Sequence, residues 1–228
     1  MSNPKQLTFP WNKENKSSFD SFYTTKLNKQ LLFLLKDEAL KEDLLIYGAK
    51  DSGKTYLLQA LCNQFNNQGK SSFFLPMRQA IELSVDILDS LENIELVCID
   101  GIESLVGNKA WEIGLFNLIN RSFNSNNRLV FTSAKNIDGM NFELKDLDSR
   151  LRRIQSHELY SLADDDILSA LKHIANLRSI ELGSKEAQYL LTYADRNISD
   201  LVKILESLDQ LSMEMKRKIT IPLIKEVI

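Results

Sequence analysis

The sequence is poor in cysteine and histidine. Cys62 and Cys98 are the two cysteines, and His157 and His173 the two histidines. No Cys-x-x-Cys pair or metal-like Cys/His spacing exists, which argues against a zinc site and a disulfide framework. An excess of one charge is also missing: 28 Lys and Arg against 31 Asp and Glu leave a formal net charge of −3. Such a chain has no global electrostatic footprint for wrapping nucleic acid, and only a local patch stays open. No apolar stretch is long enough to cross a bilayer. Met1 to Trp11 is polar and lacks the apolar core of a signal peptide. Internal repeats and low-complexity blocks are absent as well. What remains is an ordinary globular mixture, 43% hydrophobic and 26% charged, in 228 residues. That is enough to bury a core as one large domain or two small ones. The expectation is a reduced, cytoplasmic protein without membrane contact.

Residues 1–18 are rich in Asn, Lys and Ser, carry Pro4 and Pro10, and read as a tail. From Phe19 the pattern becomes regular, with helical spacing from Leu27 to Leu40. Short apolar runs at Leu44–Tyr47, Ser72–Leu75, Leu96–Ile99 and Leu129–Thr132 read as buried strands. Helical patterns fill the gaps, at Tyr56–Phe65 and from Trp111 to Phe123. Strands alternating with helices imply an α/β fold with a parallel sheet and right-handed crossovers. Non-alternating strands imply that both sheet faces are covered. After about Ser161 the character changes to helices alone: Asp164–Leu177, Ser184–Ala194, Ile198–Leu211 and Ile221–Ile228. The expected organisation is a tail (1–18), a base domain (19–160) and a small helical domain (161–228).

The sharpest motif is Gly48-Ala49-Lys50-Asp51-Ser52-Gly53-Lys54-Thr55, a full match to G-x-x-x-x-G-K-[ST] between a strand and a helix. The glycines let the chain turn tightly so that successive amides point at one anion, and the helix start adds its positive end. Lys54 is expected on the β- and γ-phosphates and Thr55 on Mg²⁺. The nucleotide-binding set is Gly48, Lys50, Asp51, Ser52, Gly53, Lys54, Thr55 and, beside it on the helix, Tyr56. Leu96-Val97-Cys98-Ile99-Asp100 supplies a strand with an acid at its C-terminal end, where α/β sheets place ligand contacts. Asp100 is expected to share the metal with Thr55; the plainer alternative is a helix-capping Asp. Many oligomeric P-loop ATPases place a carboxylate directly after that Asp, and here the residue is Gly101. Glu103 either substitutes or caps a helix. Without a placed carboxylate the expectation is good nucleotide binding and poor hydrolysis.

The stretch Leu96 to Asn136, the P-loop and the segment Asp146-Leu147-Asp148-Ser149-Arg150-Leu151 together resemble the AAA+ domain of DnaA-type replication initiators. Within that family the chain is most similar to the short homologues of the Hda type, which inactivate the initiator. The resemblance covers nearly the whole chain. It implies an AAA+ parallel sheet with a helical lid, a bound adenine nucleotide (ADP or ATP, with ADP favoured) and Mg²⁺. The partners it implies are DnaA and the DNA polymerase III sliding clamp. It also implies negative regulation of chromosomal replication initiation and nucleoid association through the clamp. Gln6-Leu7-Thr8-Phe9-Pro10 resembles the clamp-binding peptide of Hda proteins. Leu7 and Phe9 are suited to an apolar pocket and Gln6 to hydrogen bonding at its rim, with Pro10 favouring extended backbone.

The residues alone leave Arg150, Arg152 and Arg153 open as a cation offered to a neighbour. The Asp-Leu-x-Ser-Arg-Leu match selects Arg150 as the arginine finger acting in trans, with Arg153 as runner-up. Thr132 and Ser133 stand where a polar sensor is due, but Ala134 replaces a frequent Asp. In the lid, Ser199 takes the place of the usual second-sensor arginine, and Arg196 lies three residues earlier as a candidate replacement. Both departures put γ-phosphate sensing in doubt. The sequence ends with the lid, so no helix-turn-helix is expected and DNA is expected only indirectly. The alternative reading is an autonomous DnaA-like AAA+ ATPase, such as a helicase loader or remodeller. A nucleoside or shikimate-type kinase fits worse, because Arg78 to Asn93 is acidic and apolar where such a kinase clusters arginines. Self-association into a homodimer stays open.

Overall fold

The computed structural model describes residues 17–37, 39–125 and 127–228. Among them, five strands form one parallel sheet: β1 (Leu44–Tyr47), β2 (Ser72–Pro76), β3 (Leu96–Asp100), β4 (Arg128–Ser133) and β5 (Gln155–Glu158), in the order β2-β3-β4-β1-β5. The helices are α1 (Lys29–Lys36), α2 (Lys54–Asn67), α3 (Met77–Ala80), α4 (Lys109–Ser122), α5 (Lys145–Leu151), α6 (Asp164–Leu177), α7 (Ser184–Tyr193), α8 (Ile198–Met215) and α9 (Ile221–Ile224).

The inner strands have apolar centres because both faces are covered, and the side chains still alternate between them. Leu45, Val97, Leu129 and Phe131 join α4 and α5 in one core, whereas Leu44, Ile46, Leu96, Cys98 and Val130 join α1 and α2 in the other. A third core, from Ile167 to Ile224, unites the four C-terminal helices.

Four strands follow the apolar runs of the sequence, each lengthened by a residue or two at most. The fifth does not. β5 reads Gln-Ser-His-Glu and is recruited by backbone pairing, Leu44 opposite Gln155 through Tyr47 opposite Glu158. It stands at the sheet edge, where a polar strand also discourages pairing with other chains. The helix expected over Leu27–Leu40 is shorter, Lys29–Lys36, because Asp37 turns extended at φ −72° and ψ 108°. The segment Val85–Asn93 forms two short 3-10 turns. No helix among the described residues is long and apolar enough to cross a membrane.

Candidate nucleotide site

The loop from Gly48 to Gly53 leaves the C-terminal end of β1 and enters α2. Gly53 starts that helix at φ +100°, a left-handed conformation that suits glycine, and a Cβ there would also meet the Phe22 ring at 2.8 Å. Gly48 is needed for room: a Cβ would lie 2.4 Å from the Leu159 carbonyl oxygen, in the chain leaving β5. Lys54 folds back along the loop, its Nζ donating to the Gly48 and Ala49 carbonyls at 2.8 and 2.7 Å and to Ser52 Oγ at 3.4 Å. Half-burial lowers the Lys54 pKa from its ordinary value; Glu103, Asp100 and Asp51 oppose that shift, and Arg78 adds to it.

Asp100 ends β3 and joins the neighbouring elements. Its Oδ2 accepts from Thr55 Oγ1 at 2.7 Å and its Oδ1 from Thr132 Oγ1 at 2.5 Å. Thr132 is fully buried, and its hydroxyl also accepts from the Gly101 amide at 2.9 Å. Its place is therefore behind Asp100, orienting the carboxylate. Ser133, likewise buried, donates to the Lys135 carbonyl at 2.6 Å. Glu103 Oε2 accepts from the Ala134 amide at 3.2 Å. The turn after β3 thus brings Glu103 back to the end of β4, and its charge is felt at Lys54.

A cleft of about 1120 Å³ opens beside the loop, between base and C-terminal helices. Lys50, Asp51, Ser52, Gly53 and Tyr56 line it from the base, Phe22 and Tyr23 from the N-terminal segment, and Arg196, Ser199 and Val202 from the lid side. Arg196 is paired with Asp164 at 3.2 Å and also donates to the Leu191 carbonyl at 3.4 Å. Ser199 holds no charge; its amide is capped by Asn197 Oδ1 at 2.8 Å. Lys203, one turn further along α8, pairs with Asp200 at 2.7 Å and senses Asp51 of the loop.

α5 carries Arg150, and Arg152 and Arg153 follow directly after its end. Arg152 is tied to Asp148 at 2.8 Å and to Asp138. Arg150 and Arg153 have neither hydrogen bond nor ion pair through their guanidinium groups among the described residues. Leu147 and Leu151 fix the helix to the core. No residue of α5 is among those that line the cleft.

Residues 14–159 match the family model of the bacterial DnaA ATPase domain, and residues 164–228 match that of the Hda lid domain. The chain belongs to the DnaA-type AAA+ family. Its C-terminal helices form an Hda-type lid on a parallel-sheet base.

Solved DnaA structures agree in fold. Domain III of the Thermotoga maritima replication initiation protein DnaA is 19% identical, with a TM-score of 0.73, over 93% of this chain and 97% of that one. DnaA from Aquifex aeolicus, solved bound to AMPPCP, is 19% identical with a TM-score of 0.70, over 85% of this chain and 65% of that one. The Thermotoga maritima branch-migration motor RuvB is 17% identical with a TM-score of 0.66, over 93% and 71%. The chain therefore spans about two thirds of the Aquifex initiator structure.

Several residues of this DnaA-type site carry no sequence signal. Phe22, Tyr23 and Tyr160 line the cleft; Phe22 packs on Tyr56, Tyr23 on His173, and Asn28 binds both backbone groups of Tyr160 at 2.9 and 3.0 Å. Arg78 comes within electrostatic reach of Lys54 from α3, and no motif flags it. The expected clamp-binding residues Gln6, Leu7, Phe9 and Pro10 lie outside the described residues.

Proposed function

We propose that this chain is a regulatory AAA+ protein of the Hda type, which keeps a nucleotide to hold its shape and lends a cation to ATP hydrolysis by DnaA. The observation that carries this reading is the state of Arg150. Its guanidinium is unengaged among the described residues, on a helix that contributes nothing to the chain's own cleft, while neighbouring Arg152 is consumed by two carboxylates. A guanidinium supplied in trans to a partner's phosphates is worth about 10³–10⁵ in rate.

The chain's own site fits a nucleotide with Mg²⁺. Gly53, at φ +100°, turns the loop sharply into α2, a course that lets successive amides converge on one anion. The amides from Lys50 to Lys54 and the Lys54 ammonium would hold the phosphates. Thr55 and Asp100, hard oxygen donors already joined at 2.7 Å, would hold the metal. Bound Mg²⁺ supplies charge neutralisation between phosphates. Phe22, Tyr23 and the lid face of α8 would enclose the base and ribose. Gly101 in place of the usual acid, and Arg196 committed to Asp164, favour ADP as the resident ligand and slow turnover. Residues Gln6, Leu7, Phe9 and Pro10 would dock on the sliding clamp, so that DNA is reached only through the clamp and the local concentration of the two proteins rises.

One observation favours a second reading, an autonomous DnaA-like ATPase. Glu103 stands at the end of β4 with its charge felt at Lys54, where it could orient an attacking water. One assay separates the two. ATP hydrolysis is followed for the chain alone, and for bacterial DnaA with DNA-loaded clamp and the chain added. The proposal expects little turnover alone and strong stimulation of DnaA, lost in Arg150→Ala while clamp binding is kept. Stimulation retained by Arg150→Ala overturns the assignment. Substantial turnover alone that Glu103→Gln removes would establish the second reading. Alanine at Gln6, Leu7 and Phe9 should abolish clamp capture, and unchanged capture would remove that partner.

A further inference from the structure

If Arg150 acts on a partner's nucleotide, its position must be held, and the structure contains a device suited to holding it. Glu112, in the first turn of α4, is 0% exposed. Its carboxylate forms no ion pair among the described residues. Instead it receives three backbone amides: Oε1 accepts from Gly107 at 3.0 Å and from Glu143 at 3.2 Å, and Oε2 from Leu144 at 2.8 Å. Three N–H donors match an acceptor-only carboxylate, whereas a glutamine offers one oxygen and presents its own N–H groups to the third donor. A buried carboxylate with no cation is retained only where its acceptor capacity is met in this way.

The three amides are not neighbours by accident of one turn. Glu143 and Leu144 lead directly into α5, the seven-residue helix that carries Arg150. Gly107 closes the turn that begins at Asp100 and Gly101, beside the phosphate loop. Two sets of contacts place this short helix. Leu147 and Leu151 set which face is buried, and the Glu112 bonds set where the helix begins.

We propose that Glu112 is a positioning residue for Arg150: it pins the start of α5 to α4 and to the turn behind Asp100, and so determines where the guanidinium meets a partner's phosphates. The inference rests on the Arg150 reading above. Misplacement by about 1 Å is enough to cost roughly a hundredfold in an oriented reaction.

The test uses the full-length chain, clamp on DNA and ATP-loaded bacterial DnaA, and reads both the maximal stimulated rate and the concentration giving half of it. Glu112→Gln should lower the maximal rate roughly ten- to a hundredfold. The half-stimulating concentration and the chain's own ADP affinity should stay at native values, a split that general loss of folding would not produce. Leu144→Pro, whose φ of −79° a proline ring accepts, removes the 2.8 Å bond together with the leucine's partial packing on the core, and should lower the same maximal rate by a smaller factor. Native maximal rates in both variants, with Arg150→Ala silent, overturn the positioning role and leave the Arg150 reading standing. Native stimulation by Arg150→Ala overturns that reading and this inference with it. Should Glu112→Gln lose ADP binding as well, Leu144→Pro decides: a lowered maximum at native ADP affinity supports the role, and a native maximum refutes it.

Discussion

Asn28→Ala probes the joint between the base and the chain that leads into the lid. Asn28 is 1% exposed, and its side chain makes a reciprocal pair with one distant residue: Nδ2 donates to the Tyr160 carbonyl at 2.9 Å and Oδ1 accepts from the Tyr160 amide at 3.0 Å. Alanine leaves both backbone groups without their partner. An unmet buried group costs about 1–3 kcal/mol. Tyr160 is 41% exposed overall, so water can replace part of what is lost and the lower half of that range applies. The expected loss is about 2–4 kcal/mol. At about 2–4 °C per kcal/mol for a chain of this size, the melting temperature should fall by roughly 5–15 °C. Urea unfolding followed by circular dichroism gives the free energy, with an unchanged m-value showing that the native and unfolded surfaces are the same. Phe33→Ala is the companion: a position in the helix that Asn28 precedes, an exposed side chain, and an expected change within about 0.5 kcal/mol. If Asn28→Ala also stays within about 0.5 kcal/mol, the Tyr160 pair does not hold the joint and the reasoning fails.

Two further perturbations test separate parts of the account. Gly48→Ala places a methyl group 2.4 Å from the Leu159 carbonyl oxygen, and since that atom is backbone, strands β1 and β5 must part. A loss of about 1–3 kcal/mol, together with weakened ADP binding by calorimetry, is expected, and a variant of native stability and affinity would contradict the close approach. His157, on β5, has its Nε2 buried and unpartnered among the described residues, and burial lowers its pKa below the ordinary value of about 6.5. The neutral ring is favoured in the folded state, so its contribution is whole above about pH 6.5 and is lost as pH falls through the lower folded value. His157→Gln should flatten the stability–pH profile below about pH 6.5. An unchanged slope in urea titrations across that range would show that another group is responsible.

Much of the architecture is legible in the sequence. Leu44–Tyr47, Leu96–Ile99 and Leu129–Thr132 are apolar without alternation because they lie inside the sheet, and burial on both faces writes itself into residue type. The phosphate loop is equally legible, since its function depends on local backbone geometry that a contiguous motif can specify. β5 was invisible because Gln155–Glu158 is held by backbone hydrogen bonds to β1, and such bonds leave no trace in side-chain hydrophobicity. The expected helix beyond Lys36 failed for a similar reason: apolar spacing continued to Leu40, but the backbone turned at Asp37.

By itself, then, the sequence determined the alternation of strand and helix, the phosphate loop, the acid at the end of β3 and the family resemblance, all of which are encoded by residues close together along the chain. Only the tertiary structure decided which arginine of Arg150, Arg152 and Arg153 is spent on internal carboxylates, since Asp138 lies fourteen residues from Arg152 and meets it through folding. The same is true of Glu103 returning to Ala134, of Asn28 binding Tyr160, and of Glu112 gathering three amides from two loops. Each is a contact between distant segments, made by polar groups that must find partners once water is excluded, and no local pattern announces where those partners will be.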